Sequence, residues 1–160
     1  MLEEIREGAV RLKVHKVQVT SKDMEVFYNP VMRMNRDISV LLLGSISAGK
    51  LQIADPLAGT GIRSIRFLKE LASSKIKKLY INDYSLDSVN LIKKNLRLNK
   101  INFNNHRKII VSCQDANLFL LNSTGFDYID IDPFGTPNPY LDAACKRISR
   151  DGIIAEDIIS

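Results

Sequence analysis

Cysteine and histidine are both scarce in this chain. Cys113 and Cys145 stand far apart, with no CxxC and no histidine pair beside them. Neither a disulfide nor a zinc site is expected from such spacing, and the two read as buried free thiols. His15 and His106 lack any partner pattern and are expected on the surface or in loops. No metal is expected. Long hydrophobic runs are missing too. The longest hold four residues, as in Val40–Leu43, far below the roughly 20 that span a bilayer. The opening "MLEEIREG" is acidic and has no apolar segment of the signal-peptide kind. A cytoplasmic protein without membrane association is expected. There is no internal repeat and no low-complexity linker. No Lys-Ser/Thr follows the glycine-rich turn, which excludes a P-loop.

With 160 residues, 45% hydrophobic and 26% charged, the chain is long enough for one domain with a core of its own. Net charge is +5, and the excess is clustered. Lys75, Lys77 and Lys78 form one group; Lys93, Lys94, Arg97 and Lys100 form a second, followed by His106, Arg107 and Lys108. Such clusters suit a polyanion such as RNA, or simply a solvated helix face. Nothing in the pattern specifies an oligomeric state.

Apolar and polar residues alternate loosely over 9–19, which predicts an N-terminal strand or hairpin with a slip near His15. Asn29-Pro30 is a helix start, and the helix should run to about Leu43 and stop at Gly44. Strands and helices then alternate. Strands are predicted at Leu51–Ala54, Lys78–Ile81, Lys108–Ser112, Tyr128–Ile131 and Gly152–Ala155. Helices are predicted at Ile62–Ala72, after Ser85 to about Asn99, at Asn117–Leu121 and at Pro139–Ser149. This is the pattern of an α/β, mostly parallel, doubly wound sheet. The expected division is a small N-terminal β extension over 1–28 and a Rossmann-like core over 29–160. Ligands of such sheets bind at the carboxyl ends of the strands.

Those ends carry Asp55 with Gly59 and Gly61, then Asp83, Asp115 and Asp132. In "ADPLAGTGIRS" the two glycines let the backbone turn tightly and approach a ligand, and the helix that follows aims its free N–H groups into the same space. Asp83 ends the next strand, where a carboxylate can accept from both hydroxyls of a ribose. Asp115 with Ala116 is placed for an adenine edge. The third glycine of a dinucleotide fingerprint is replaced by Ser64. Acidic ends on three successive strands suit S-adenosylmethionine, which carries an ammonium and no pyrophosphate; a nicotinamide dehydrogenase is disfavoured.

The segment "FDYIDIDPFGTPNPY" starts as a buried strand and ends in a loop with three prolines within seven residues. At its tip stands Asp132-Pro133-Phe134-Gly135. The exocyclic amine of a nucleobase is a weak nucleophile, because its lone pair is delocalised into the ring. Acceptors that engage its N–H bonds hold it in line for transfer: the Asp132 carboxylate and the Pro133 carbonyl can do so, and proline fixes that carbonyl in place. Phe134 offers a stacking face for an extruded base.

"VFYNPVMRMNRDISV", "ADPLAGTGIRSIRF", "INDYS", "QDAN" and "DIDPFGTPNPYLDAA" together resemble the tRNA guanine-N2 dimethyltransferase family, which modifies position 26 of tRNA. The likeness covers nearly the whole chain. It implies a class I methyltransferase fold, S-adenosylmethionine as cofactor and tRNA as partner. It further implies cofactor contacts from Arg36, from Arg63 and the Gly59/Gly61 turn near the methionyl end, from Asp83 at the ribose, and from Asp115 and Ala116 at the adenine. Asp132 would hold the target amine, with Phe134 and Phe27 cradling the guanine. Members of that family are considerably longer, with further strands and a separate C-terminal domain, whereas this chain stops at "RDGIIAEDIIS". A sheet cut short after the fifth core strand is therefore expected, and with it two alternatives to an active enzyme. One is an inactive relative that retains only cofactor or RNA binding. The other is a methyltransferase for another amine, adenine N6 in DNA or guanine N2 in ribosomal RNA; those proteins usually carry Asn/Asp-Pro-Pro-aromatic, and Phe134-Gly135 after Pro133 argues against it.

Overall fold

The computed structural model describes residues 2–15, 28–47, 49–104 and 108–156. Strands β1 (Leu2–Glu7) and β2 (Val10–His15) form an antiparallel hairpin, turned at Gly8 with φ +54°. The sequence pattern announced only β2. In β1 the side chains are largely exposed and only Glu7 is buried, so no apolar alternation marks it. Residues 16–19 of the expected segment lie outside the described residues.

β2 buries Val10, Leu12 and Val14 on the core. Its free edge is closed by a helix instead of a strand. Asn95 exchanges two hydrogen bonds with the Lys13 backbone, at 2.7 and 3.1 Å, and Asn99 does the same with Arg11, at 3.0 and 2.6 Å. The spacing explains the match. Two strand residues rise about 6.6 Å and four helical residues about 6 Å, so an i, i+4 amide pair can serve alternate edge residues. An edge satisfied in this way presents no template for another strand.

Asn29 caps a single tight turn, Pro30–Met32, accepting from Val31 N at 3.0 Å, and helix α1 (Arg33–Ser45) follows. It continues one residue past the expected stop, because Gly44 stays helical and the chain leaves the helix at Ile46. The remaining elements alternate as expected: β3 (Leu51–Asp55), α2 (Ile62–Glu70), β4 (Ile76–Asp83), α3 (Leu86–Leu98), β5 (Ile109–Cys113), α4 (Ala116–Leu121), β6 (Phe126–Ile131), α5 (Asn138–Arg147) and β7 (Ile148–Glu156). Ser85 caps α3 and Asp115 caps α4. β7 starts earlier than its apolar run suggested. Ile148 already pairs with Phe126, residues 149–152 bulge out with Asp151 at φ +62°, and pairing resumes at Ile153 opposite Tyr128.

The five-stranded sheet is parallel throughout, in the order β5-β4-β3-β6-β7. One face packs on the hairpin, α1, α2 and α3, around Leu43, Ile53, Ile65, Phe67, Leu79, Ile92 and Tyr128. The other packs on α4 and α5, around Ile129, Ile131, Phe119, Phe126 and Ala144. A sheet covered on both sides reads as continuous apolar strands, as these do. The crossovers diverge at the β3/β6 pair, so the carboxyl ends of these two strands open a crevice. Both thiols are exposed, contrary to expectation. Cys113 ends the edge strand β5 with its thiol near the Tyr84 carbonyl, and Cys145 sits on an outward face of α5. His15, the last residue of β2, is half-buried; His106 lies outside the described residues. No helix among the described residues is long and apolar enough to cross a membrane.

Candidate active site

The loop after β3 is held from the neighbouring strand. Ala58 N donates to the Asn82 carbonyl at 2.9 Å and Gly59 N donates to Asp83 Oδ2 at 2.8 Å. Asp83 Oδ1 accepts from Ser85 N at 2.9 Å, which fixes the carboxylate against the start of α3. Asn82, fully buried, donates to the Pro56 and Gln114 carbonyls and accepts from Ser112 Oγ and Gln114 N, tying the ends of β3, β4 and β5 together. Gly61 is the residue before α2, with φ +77°. A Cβ there would stand 3.1 Å from Ile92 Cγ1, so only glycine fits without displacing α3.

These loops, the Asn29 turn and the Asp132 loop enclose a cavity of about 340 Å³. Of the expected site residues, Arg36, Gly59, Asp83, Asp132, Pro133 and Phe134 share its wall. Phe134 is 65% exposed and Asp132 half-buried, both at the rim. The remainder stand elsewhere. Gly61 supports the wall from behind. Asp55 is buried below it and accepts from Ser64 Oγ at 2.7 Å. Arg63 is buried beneath the floor, paired with Asp130 and Asp132. Asp115 is exposed and accepts from Leu118 N at 3.0 Å as the cap of α4; Ala116 is buried, and neither lines the cavity. Phe27 lies outside the described residues. Tyr28, which with Phe27 is a candidate base platform from the sequence, lines the wall; wall residues not singled out from the sequence include Asn29, Met32, Ser85, Ser88 and Tyr140. Their signal was position: Asn29 and Met32 flank the helix start at Pro30, the serines open α3, and Tyr140 is in the first turn of α5.

Arg36 is presented to the cavity by a buried carboxylate. Glu7 accepts from Arg36 Nε at 2.8 Å and Nη2 at 2.7 Å, from Tyr28 Oη at 2.9 Å and from Arg66 Nη1 at 3.1 Å. The Arg36 guanidinium also lies 5.3 Å from the Tyr28 ring centre. Burial alone would raise the Glu7 pKa, but Arg36, Tyr28 and Arg66 outweigh it and hold it below the usual carboxylate range.

The floor is different. Burial pushes Asp55 up to about 6 and Asp130 up to about 8; Ser64 and Arg63 offset this only in part for Asp55, and Arg63 and Tyr128 only in part for Asp130. Three carboxylates share one guanidinium here. A raised pKa means that the fold prefers the protonated acid. The stability Asp55 contributes is present below about pH 4 and is lost as pH rises through about 6. Asp55→Asn keeps an acceptor for Ser64 and removes the charge. It is therefore expected to be more stable than the parent at about pH 8, by at most about 3 kcal/mol, with the difference vanishing below about pH 4. Urea unfolding across that range checks the sign. No group of three or more His, Cys, Asp or Glu among the described residues could hold a metal ion.

A parallel sheet in this order, with its cavity at the divergence point of the crossovers and a glycine turn facing an acidic strand end, is a Rossmann-like methyltransferase fold. The signature of the N2,N2-dimethylguanosine tRNA methyltransferase family matches residues 8–156, and the chain belongs to that family. It is 40% identical to the tRNA (guanine(26)-N(2)/guanine(27)-N(2))-dimethyltransferase of Aquifex aeolicus, over 96% of this chain and 40% of that protein. It is 43% identical to the tRNA (guanine(26)-N(2))-dimethyltransferase of Pyrobaculum calidifontis, over 81% of this chain and 35% of that one. Among solved structures it superposes on Trm1 from Pyrococcus horikoshii, in complex with S-adenosyl-L-methionine, with TM-score 0.81 and 34% identity, covering 97% of this chain and 42% of that one. A tRNA m1G37 methyltransferase of M. jannaschii, at 22% identity and TM-score 0.71, shares the fold. The chain thus spans about 40% of the length of its curated relatives.

Proposed function

We propose that this chain binds S-adenosylmethionine in the cavity between Asp83 and Asp132 and carries the residues that present the N2 amine of guanine 26 in tRNA for methylation. The observation that supports this most is the placement of Asp132-Pro133-Phe134 on the same cavity wall as Arg36, Gly59 and Asp83. The cavity fits the cofactor chemically. Asp83 supplies carboxylate oxygens to vicinal hydroxyls, and its hydrogen bonds from Gly59 N and Ser85 N fix where those oxygens point. Leu57, Ile62 and Met32 add an apolar lining. When bound, S-adenosylmethionine supplies a sulfonium-borne methyl group, transferred with loss of one amine proton.

The protein's own part is orientation. Asp132 and the Pro133 carbonyl accept from the two amine hydrogens, and exposed Phe134 stacks on the extruded base, with Tyr140 on the same wall. Asp115 and Ala116, implied at the adenine, do not line the cavity wall. A role on tRNA fits a cytoplasmic location, and the basic groups Lys75–Lys78 and Lys93–Lys100 are candidates for phosphate contact.

Two measurements test the reading. Incubation with an unmodified tRNA transcript should yield N2-methylated guanosine at position 26 by nucleoside mass spectrometry; cofactor binding without any product would reduce the chain to a binding module. Calorimetry should show that Asp83→Ala weakens S-adenosylmethionine about 10- to 100-fold, the value of one or two hydrogen bonds to a charged acceptor. Unchanged affinity would remove Asp83 from the site.

A further inference from the structure

The alternation of "YIDID" puts Tyr128, Asp130 and Asp132 on one face of β6, and that face turns toward α2. Arg63, in the first turn of α2, lies along it. Its Nε pairs with Asp130 Oδ1 at 3.1 Å, its Nη2 with Asp132 Oδ2 at 3.1 Å, and its Nη1 donates to Ser39 Oγ of α1 at 2.8 Å. Tyr128 Oη donates to Asp130 Oδ2 at 2.8 Å. Arg63, Asp130 and Tyr128 are buried, whereas Asp132 reaches the rim. One planar guanidinium therefore joins a buried carboxylate to the exposed one, with its other end fixed by α1.

We propose that Arg63 is a positioning residue for methyl transfer: anchored on Asp130 and Ser39, it orients the Asp132 carboxylate toward the cavity. This replaces the cofactor contact that resemblance implied for Arg63, and it rests on the reading of Asp132 as the group that meets the target amine. A planar fork is suited to the task, since its nitrogens point in fixed directions and each takes a different partner. Lysine offers one point charge and cannot join both carboxylates and the serine. The anchor also explains a costly choice. Asp130 is held where burial disfavours its charge, which is tolerated only with Arg63 against it. Among the described residues, the charged groups facing Asp132 include Arg63 from α2, Asp130 from its own strand, Asp55 from β3, and Asp83 and Arg36 across the cavity. Removing the guanidinium paired with Asp132 is expected to let this carboxyl take up a proton at higher pH than in the parent.

The test compares Arg63→Gln, Arg63→Lys and the double variant Arg63→Gln/Asp130→Asn, which removes the buried charge pair and retains an acceptor for Tyr128. For Arg63→Gln, kcat is expected to fall about 10- to 100-fold, the KM and Kd for S-adenosylmethionine to stay within about twofold, and the acidic limb of the pH–rate profile to move up by about one unit. Arg63→Lys should restore the limb without restoring kcat. The double variant should recover the parent's melting temperature and keep the low kcat. Loss of cofactor affinity with kcat unchanged would return Arg63 to the cofactor site and overturn the proposal. So would a double variant that recovers both stability and turnover. Titration of the Asp132 carboxyl by 13C NMR separates this idea from the functional reading. If the parent transfers no methyl, an upward shift in Arg63→Gln still supports the anchor, and an unmoved titration overturns it.

Discussion

Replacing Glu7 by alanine is expected to cost about 3–5 kcal/mol, a large share of the roughly 5–15 kcal/mol that holds a domain folded. Glu7 is 1% exposed and accepts four hydrogen bonds from three residues. Its loss does not affect them equally. Arg66 keeps Glu70, at 2.9 and 2.8 Å, and Asp37. Among the described residues, Arg36 keeps as hydrogen-bond acceptor only the Asn29 carbonyl, at 3.0 Å. A buried guanidinium stripped of its carboxylate is the source of the penalty. Glu7→Gln retains one acceptor oxygen, without the charge, and should cost less than alanine. Urea unfolding with an unchanged slope checks this, and a loss under about 1 kcal/mol would contradict it. The pH dependence has a definite sign. Because Arg36, Tyr28 and Arg66 lower the folded pKa of Glu7 despite burial, its contribution is present above the ordinary value of 4.5 and fades as pH falls through the folded value. The same substitution releases Arg36 and Tyr28 from the cavity wall, so cofactor affinity should drop along with stability.

That network shows where reading the sequence ran out. The order of strands and helices was legible because apolar periodicity and caps such as Ser85 are local signals. The rim was legible because glycines and acids follow strand ends in a fixed place. Glu7 was not: it is a lone acid in an acidic N-terminal stretch, and its partners lie 29 and 59 residues away. Asp130 was passed over for a related reason. An acid inside an apolar strand makes sense only with a cation from another element, here Arg63. Asp115 shows an ambiguity of pattern reading, since an aspartate between strand and helix is placed equally for a ligand and for its own helix cap; its Oδ1 serves the cap here. The thiols came out exposed because cysteine's preference for burial is statistical, while the end of an edge strand and the outer side of a helix are determined by topology.

Asp132→Ala is expected to lower methyl transfer about 10²- to 10⁴-fold while cofactor affinity stays within about threefold. The carboxylate is half-buried at the rim; on the proposed function, its removal takes away an acceptor from the amine, not from the donor molecule. Asp132→Asn should recover little, because an amide pairs poorly with Arg63 and offers one acceptor oxygen. The stability effect should run the other way. Asp132 adds to the forces that raise Asp55 and Asp130, so three acids crowd one guanidinium. Removing one relieves that repulsion and leaves Arg63 paired with Asp130 at 3.1 Å. The alanine variant should therefore unfold at the same urea concentration as the parent or a higher one at about pH 9, and lose its advantage as pH falls and Asp130, at about 8, then Asp55, at about 6, protonate. A residue whose removal abolishes turnover without weakening the fold is one retained for chemistry. A variant that both keeps turnover and loses stability would make Asp132 a structural partner of Arg63, and the rim would need another acceptor for the amine.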